Sequence, residues 1–183
     1  MPSPVTSAGL MLGAGASETL RGVLWPGRRP VTASAGFDEL WLASQPAATG
    51  DAEFECLAKA LYFEARGESL RGQAAVAEVI LNRRESPDYP RTICGVVEQG
   101  GKGGCQFSFT CDGASDRIRE PEAWDRAQKV ARAMLDGAPR LLTDGATHFH
   151  TPAVRPGWAR RFEKTAEIGR HIFYRAPIRT AMN

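Results

Sequence analysis

The sequence predicts a small α+β domain, mainly helical, with a small β-sheet near its C-terminal end. Three observations carry this. Apolar residues recur at helical spacing in two successive segments between residues 51 and 84. A further helix over about 121–135 is marked by Pro121 at its first position and by Gly137 just past its end. Two short segments, 147–151 and 171–175, alternate like strands and can pair. The chain has 183 residues, enough for one domain with a hydrophobic core.

Residues 1–50 are rich in Ser, Pro, Gly and Ala and show little periodicity. Arg21, Arg28 and Arg29 are balanced by Glu18, Asp38 and Glu39. The reading is a flexible arm over 1–50, with a patch at 37–42 able to dock on a domain of 51–183. The stretch Gly9-Leu-Met-Leu-Gly-Ala-Gly-Ala16 is short, and no basic residue precedes it, so it is at best a degenerate export signal.

In the first helix Phe54, Leu57, Ala58, Leu61 and Ala65 form an apolar stripe. Asp51, Glu53 and Glu55 fall at its start, where the helix dipole favours anions. Gly67 is placed to end it. The second helix is predicted over 69–84, with Ser69 as N-cap. Its centre, Ala74-Ala-Val-Ala-Glu-Val-Ile-Leu81, is apolar nearly all round, which suits the middle of a domain. Ser86-Pro87 and Tyr89-Pro90 stop it. Thr92 can cap a short helix to about residue 98. Gln99-Gly-Gly-Lys-Gly-Gly104 reads as a loop, 105–110 as a short strand, and Asp112-Gly113 as a turn.

No uninterrupted apolar run exceeds four residues, so a membrane span is not expected. A net charge of +2 argues against nucleic-acid binding through bulk electrostatics. The 19 Arg against 4 Lys is most simply base composition. The four cysteines, Cys56, Cys94, Cys105 and Cys111, form no CxxC pair, which disfavours a zinc ribbon. Their even number suggests two disulfides and a compartment outside the reducing cytosol, with four buried thiols as the alternative.

Glu64, in Leu61-Tyr-Phe-Glu-Ala-Arg-Gly-Glu68, is the residue placed best for chemistry. On a helical wheel it lies about 60° from Leu61 and about 20° from Leu57, at the border of the apolar stripe. Burial and the negative end of the helix dipole both act to raise its pKa. A carboxyl group still protonated near neutral pH is what a glycosidic leaving oxygen requires. A surface pair with Arg66 is the alternative. Glu68 reads as a cap or ion-pair residue. Glu78, the only charge between Arg71 and Arg83, must be paired, protonated or at a cleft edge.

His148-Phe149-His150 places two His on one side of a strand. Zinc needs three or four ligands, and the only other His is His171. A hydrogen-bonding His lining a cleft is favoured over a metal site. A Cys–His nucleophile pair would need an unpaired Cys, and Ser108 lacks the Gly-x-Ser-x-Gly elbow. In Cys105-Gln106-Phe107-Ser108-Phe109, Gln106 and Ser108 could bond sugar hydroxyls while aromatic faces stack on sugar rings; an ordinary edge strand is the alternative.

The runs Ala58-Lys-Ala-Leu-Tyr-Phe-Glu-Ala-Arg-Gly-Glu68, Gly72-Gln-Ala-Ala-Val-Ala, Val79-Ile-Leu-Asn-Arg83 and Ser86-Pro-Asp-Tyr-Pro90 resemble the SleB/CwlJ family of cell wall hydrolases. So do Thr92-Ile-Cys-Gly-Val-Val97, Cys105-Gln-Phe-Ser-Phe109 with Cys111-Asp-Gly113, Ala146-Thr-His-Phe-His150, Pro156-Gly-Trp158 and Ile168-Gly-Arg-His-Ile-Phe-Tyr174. The likeness covers about residues 53–176.

The resemblance implies a lysozyme-like fold related to lytic transglycosylases. It implies cleavage of the N-acetylmuramic acid to N-acetylglucosamine β-1,4 bond of peptidoglycan, with Glu64 as the acid. The cysteine-bearing version looks like the Gram-negative branch, and the peptidoglycan-binding repeat of typical spore members is not seen. Expected substrate-binding residues are Gln106, Phe107, Ser108, His148 and Trp158. A transglycosylase needs one carboxyl group; a muramidase-type hydrolase needs a second, for which Glu68, Glu78 and Asp112 are candidates.

The expected partners are glycan strands, with no cofactor, no metal and a monomeric chain, in the periplasm or cell envelope. Under the same resemblance, the pairing expected among the three possible is Cys94–Cys105, tying the Gly loop at its base, with Cys56–Cys111 as the second. Arg155, Arg160, Arg161, Lys164, Arg170, Arg175 and Arg179 could form a basic rim that steers an anionic wall polymer. A non-catalytic peptidoglycan-binding module and a zinc amidase using His148 and His150 are the other readings.

Overall fold

The structure is a computed structural model, and it describes residues 36–101 and 104–177. Each helix starts where a side chain can accept the backbone N–H groups that a first turn leaves free. Asp38 accepts from Trp41 N ahead of α1 (Glu39–Ser44), and Asp51 accepts from Phe54 N ahead of α2 (Ala52–Ala65). Ser69 accepts from Gly72 N ahead of α3 (Leu70–Glu85), and Thr92 accepts from Gly95 N ahead of α4 (Ile93–Val97). α5 (Pro121–Leu135) has Pro121 in its first turn instead.

Helix α3 runs through the centre. Its residues from Leu70 to Leu81, except Arg71, are buried. Helices α2, α4 and α5 pack around it, closing a core that includes Phe54, Leu57, Leu61, Val76, Ile80, Ile93 and Val130. An apolar helix enclosed on all sides is what its near-uniform hydrophobicity requires.

Residues 39–44, within the stretch expected to be a flexible arm, are helical. Phe37, Trp41 and Leu42 pack against the core, and Phe37 meets Trp41 edge-on at 4.9 Å. The remainder of that arm, 1–35, lies outside the described residues, as do the last six residues with Arg179.

The main sheet has three antiparallel strands in the order β3–β5–β4, where β3 is His148–His150, β4 is Glu163–Ile168 and β5 is His171–Arg175. The pairing of β3 with β5 sets His148 opposite Tyr174 and His150 opposite Ile172. β4 has no clear alternation in sequence and is a strand because β5 offers it an edge; a register shift near Thr165 marks the compromise. A two-residue ribbon pairs β1 (Gly100–Gly101) with β2 (Gly104–Cys105).

The strand expected over 105–110 is not formed beyond Cys105. A 3-10 turn, Ser108–Thr110, takes its place, with the Thr110 amide and hydroxyl both donating to Phe107 O. The cause is covalent. Cys105 pairs with Cys111, Cα atoms 6.2 Å apart, whereas six extended residues would span about 20 Å. The other disulfide is Cys56–Cys94, Cα atoms 5.2 Å apart.

Both differ from the expected Cys94–Cys105 and Cys56–Cys111. Glu53 and Cys56 lie three residues apart on one face of α2. Glu53 accepts the Ile93 and Cys94 amides at the start of α4, which brings Cys94 to Cys56 and leaves Cys105 and Cys111 to each other.

Candidate active site at the end of α2

Glu64 lies in the last turn of α2, half-buried at the border of the stripe made by Leu57 and Leu61. Burial raises its carboxyl pKa above the ordinary value, and the backbone N–H of Ser108 acts against that shift by favouring the carboxylate. The preceding residue has a partner as well. Phe63 stacks on Phe109 with ring centroids 4.8 Å apart. The helix end thus meets the 106–110 turn through two stacked rings.

The remaining residues of that turn separate by burial. Gln106 and Ser108 are exposed. Phe107 is 1% exposed and offers no face to a sugar, contrary to its expected role. Its ring lies 6.4 Å from Phe149 and beneath the Arg83 guanidinium. The turn, absent from the extended reading of 105–110, is what sends Phe107 inward.

The candidate second carboxylates have other partners. Glu78 is 1% exposed and accepts from Leu142 N, Thr143 N and the Thr143 hydroxyl, so it anchors the segment after α5 to α3. Glu68 is buried and accepts from Arg170 N and Arg170 Nε, each at 3.2 Å. It thereby holds the β4–β5 turn. Gly169 in that turn has φ +59°, and a Cβ there would come 1.8 Å from Glu68 Oε2, so only glycine fits. Asp112 is exposed, accepts from Ala114 N, and lines a cleft of about 270 Å³ with Tyr62, Phe63, Arg66 and Phe109.

On the sheet, His148 and His150 share one face with Tyr174, opposite to Phe149 and Phe173. His148 lies 4.9 Å from Trp158 and 4.8 Å from Phe162, ring to ring. His150 stacks on Tyr174 and bonds the Tyr174 hydroxyl and Thr151 O. This half-buried group makes an aromatic wall. Burial, assisted by the Arg83 charge, pushes the His148 pKa down to about 4, so His148 is neutral over most of the pH range.

No group of three or more His, Cys, Asp or Glu placed to hold a metal occurs among the described residues. His171 is buried against Glu68, and burial lowers its pKa.

Sequence reasoning missed Arg83, Tyr89, Phe162 and Tyr174. Arg83 is 4% exposed; its Nε donates to Thr147 O and its guanidinium lies over Tyr89 and Phe107. The signal was there: a basic residue in the last turn of a helix buried all round needs a buried partner.

The pattern of the cell wall hydrolase family matches residues 67–174. The spore cortex-lytic enzyme of Halalkalibacterium halodurans is 33% identical over 129 residues, covering 70% of this chain and 36% of that protein. That of Bacillus subtilis is 30% identical over 131 residues, covering 72% and 40%. The chain therefore spans about two fifths or less of the length of these two relatives.

Two solved structures are similar. The catalytic domain of the Bacillus cereus SleB protein matches at TM-score 0.57 and 29% identity, over 72% of this chain and 95% of that one. The catalytic domain of the germination-specific lytic transglycosylase SleB from Bacillus anthracis matches at TM-score 0.56 and 28% identity, over 71% and 99%. With five helices and a three-stranded antiparallel sheet in the described residues, the fold is the lysozyme-like one of those catalytic domains. The chain belongs to the cell wall hydrolase family.

Proposed function

We propose that this chain cleaves the β-1,4 bond between N-acetylmuramic acid and N-acetylglucosamine in peptidoglycan, as a lytic transglycosylase with Glu64 as acid and then base. The observation that carries this reading is the state of the carboxylates. Glu64 is half-buried with a raised pKa, while Glu68 and Glu78 are engaged in holding the fold. One carboxyl group suffices for a transglycosylase. Protonated, it donates to the leaving oxygen as the C1–O bond breaks. As carboxylate, it then accepts the proton of the C6 hydroxyl while O6 closes on C1, giving a 1,6-anhydro-muramyl end. Hydrolysis would instead need a second carboxylate about 5 Å away for retention or 6.5–9.5 Å for inversion.

Gln106 and Ser108, both exposed on the turn that meets Glu64, are suited to bond sugar hydroxyls and acetamido groups. Trp158, half-buried beside His148, is an aromatic ring of the kind that stacks on sugars. The relatives' names as spore cortex-lytic enzymes support a wall polymer as substrate. Two disulfides suit work outside the reducing cytosol, and no described helix is long and apolar enough to cross a membrane.

Mass spectrometry of muropeptides released from purified sacculi tests the reading. Anhydro-muramyl ends are expected with the wild type and none with Glu64→Gln. Reducing ends alone would turn the reading to hydrolysis, with Asp112 as the carboxylate to examine next. Binding without products would make the chain a wall-binding module.

A further inference from the structure

The cleft of about 270 Å³ beside the last turn of α2 has no part in the function proposed above. One wall is Tyr62 and Phe63 of α2 with Arg66 at its C-cap. The other is the largely exposed segment 112–120, which leads into α5. That segment is tied to the helix at its far end. Arg119 N and Glu120 N both donate to the Tyr62 hydroxyl, at 3.1 and 3.2 Å, and Glu120 pairs with Arg66 at 3.0 Å.

Tyr62 is 2% exposed. A phenol oxygen accepts through its lone pairs and donates one proton. The two amides occupy the accepting side, and the proton has no acceptor among the described residues. A buried donor without an acceptor is costly, and this one stands in the wall of a cleft. An acceptor from outside the chain would satisfy it.

The charges of the cleft define the rest of the ligand. Arg66 and Glu120 satisfy each other. Arg117, Arg119 and Asp116 line the cleft, are exposed, and have no ion-pair partner among the described residues. Asp112 accepts the Ala114 amide. A simple anion would be drawn to the two Arg and repelled by the two Asp, whereas a group with a carboxylate and an ammonium a few bonds apart meets both. The stacked Phe63 and Phe109 rings add apolar surface for the carbon chain between those charges. The volume is below the roughly 300–1,000 Å³ of sites for drug-sized ligands, which suits one or two amino-acid residues and not a run of sugars.

We infer that this cleft binds the end of a short peptide carrying a free carboxylate and a free ammonium. The carboxylate accepts the Tyr62 hydroxyl proton and faces Arg119, and the ammonium faces Asp116. The occupant is the stem peptide that branches from muramic acid; that source rests on the function proposed above, and the chemistry of the cleft does not. On a helical wheel Tyr62 and Arg66 each lie about 160° from Glu64, so the cleft and the acid are separated by about 10 Å of helix. Three extended residues span about 10 Å, enough for a side branch to reach the cleft from a glycan held at Glu64.

The test uses N-acetyl-L-alanyl-γ-D-glutamyl-L-lysine, whose lysine keeps its amine and carboxylate free, and two capped forms, with that carboxyl as an amide or that amine acetylated. Binding is followed by NMR on the backbone amides of Tyr62 and Arg119. Both should shift with the free peptide. Either cap, Arg119→Gln or Asp116→Asn should weaken binding about fivefold or more. Both substituted side chains are exposed, and Tyr62, which anchors the segment, is left in place. No shift at millimolar free peptide, or equal binding by the capped forms, overturns the proposal, whatever the chain cleaves.

Cleavage is then compared on intact sacculi and on glycan strands stripped of peptide by an amidase. Arg119→Gln should slow cleavage of sacculi about threefold or more relative to cleavage of stripped strands. Peptide binding with that ratio unchanged overturns the stem peptide as occupant. Peptide binding in a chain that cleaves neither substrate keeps the cleft and rejects the enzymatic reading.

Discussion

Thr143 donates twice to a single carboxylate oxygen of Glu78, from its amide at 2.9 Å and from its hydroxyl at 2.6 Å. The other oxygen takes the Leu142 amide at 3.0 Å. A carboxylate enclosed in the core is tolerable only with such partners. Replacing Glu78 with Ala leaves three donors without an acceptor and should cost about 3–5 kcal/mol in urea unfolding. Thr143→Val removes one donor and should cost about 1–2 kcal/mol. Equal small losses from both would contradict an anchoring role.

Glu64→Gln should behave in the opposite way. The folded pKa of Glu64 is raised by burial, so its ionisation opposes folding. The favourable contribution is full below its unfolded value, near 4.5, and is lost as pH rises through the folded value. At neutral pH the Gln variant should therefore melt no lower than the wild type in calorimetry. Wall cleavage should fall by roughly 10²–10⁴-fold. A lower Tm would show that Glu64 is structural.

The His148 shift makes a prediction of the other sign. Its folded pKa is about 4 against 6.5 unfolded. Stability from the neutral ring is complete above pH 6.5 and is lost as pH falls toward 4. His148 is only partly buried, so solvent screening reduces the effect to about 2 kcal/mol or less. Tm measured from pH 7 to pH 4 should fall more steeply in the wild type than in His148→Gln. Parallel curves would place the ring in water.

The two disulfides should differ in their effect on unfolding. Cys56–Cys94 closes a long loop, with a sequence separation of 38, and its removal should cost about 4 kcal/mol. Cys105–Cys111, separated by 6, should cost about 2 kcal/mol. Denaturant midpoints of the two Cys-to-Ala double variants give the comparison.

Helices α2 to α5 were legible because their signals are local. Ser69 and Thr92 sit one residue before the first turns of α3 and α4, periodicity marks the buried face of α2, and Pro121 and Gly137 bracket α5. β4 was not legible, since Glu-Lys-Thr-Ala-Glu-Ile carries neither alternation nor a turn, and only β5 makes it a strand. The disulfide pairing depends on which way α2 turns Cys56, which spacing along the chain does not record.

At the site, a helical wheel places Glu64 at the border of the apolar stripe, and the structure has it half-buried there. The Ser108 group that acts on its pKa is a backbone amide and has no side-chain signature. Phe107 was misread because a covalent bend, not strand alternation, decides which way it points.

Glu68 lies four residues past Glu64 and grips the hairpin between β4 and β5 through Arg170. The end of α2 is thus tied to the sheet that carries His148 on β3. Helix end and sheet share that fastener, so the position of one against the other is set when the chain folds.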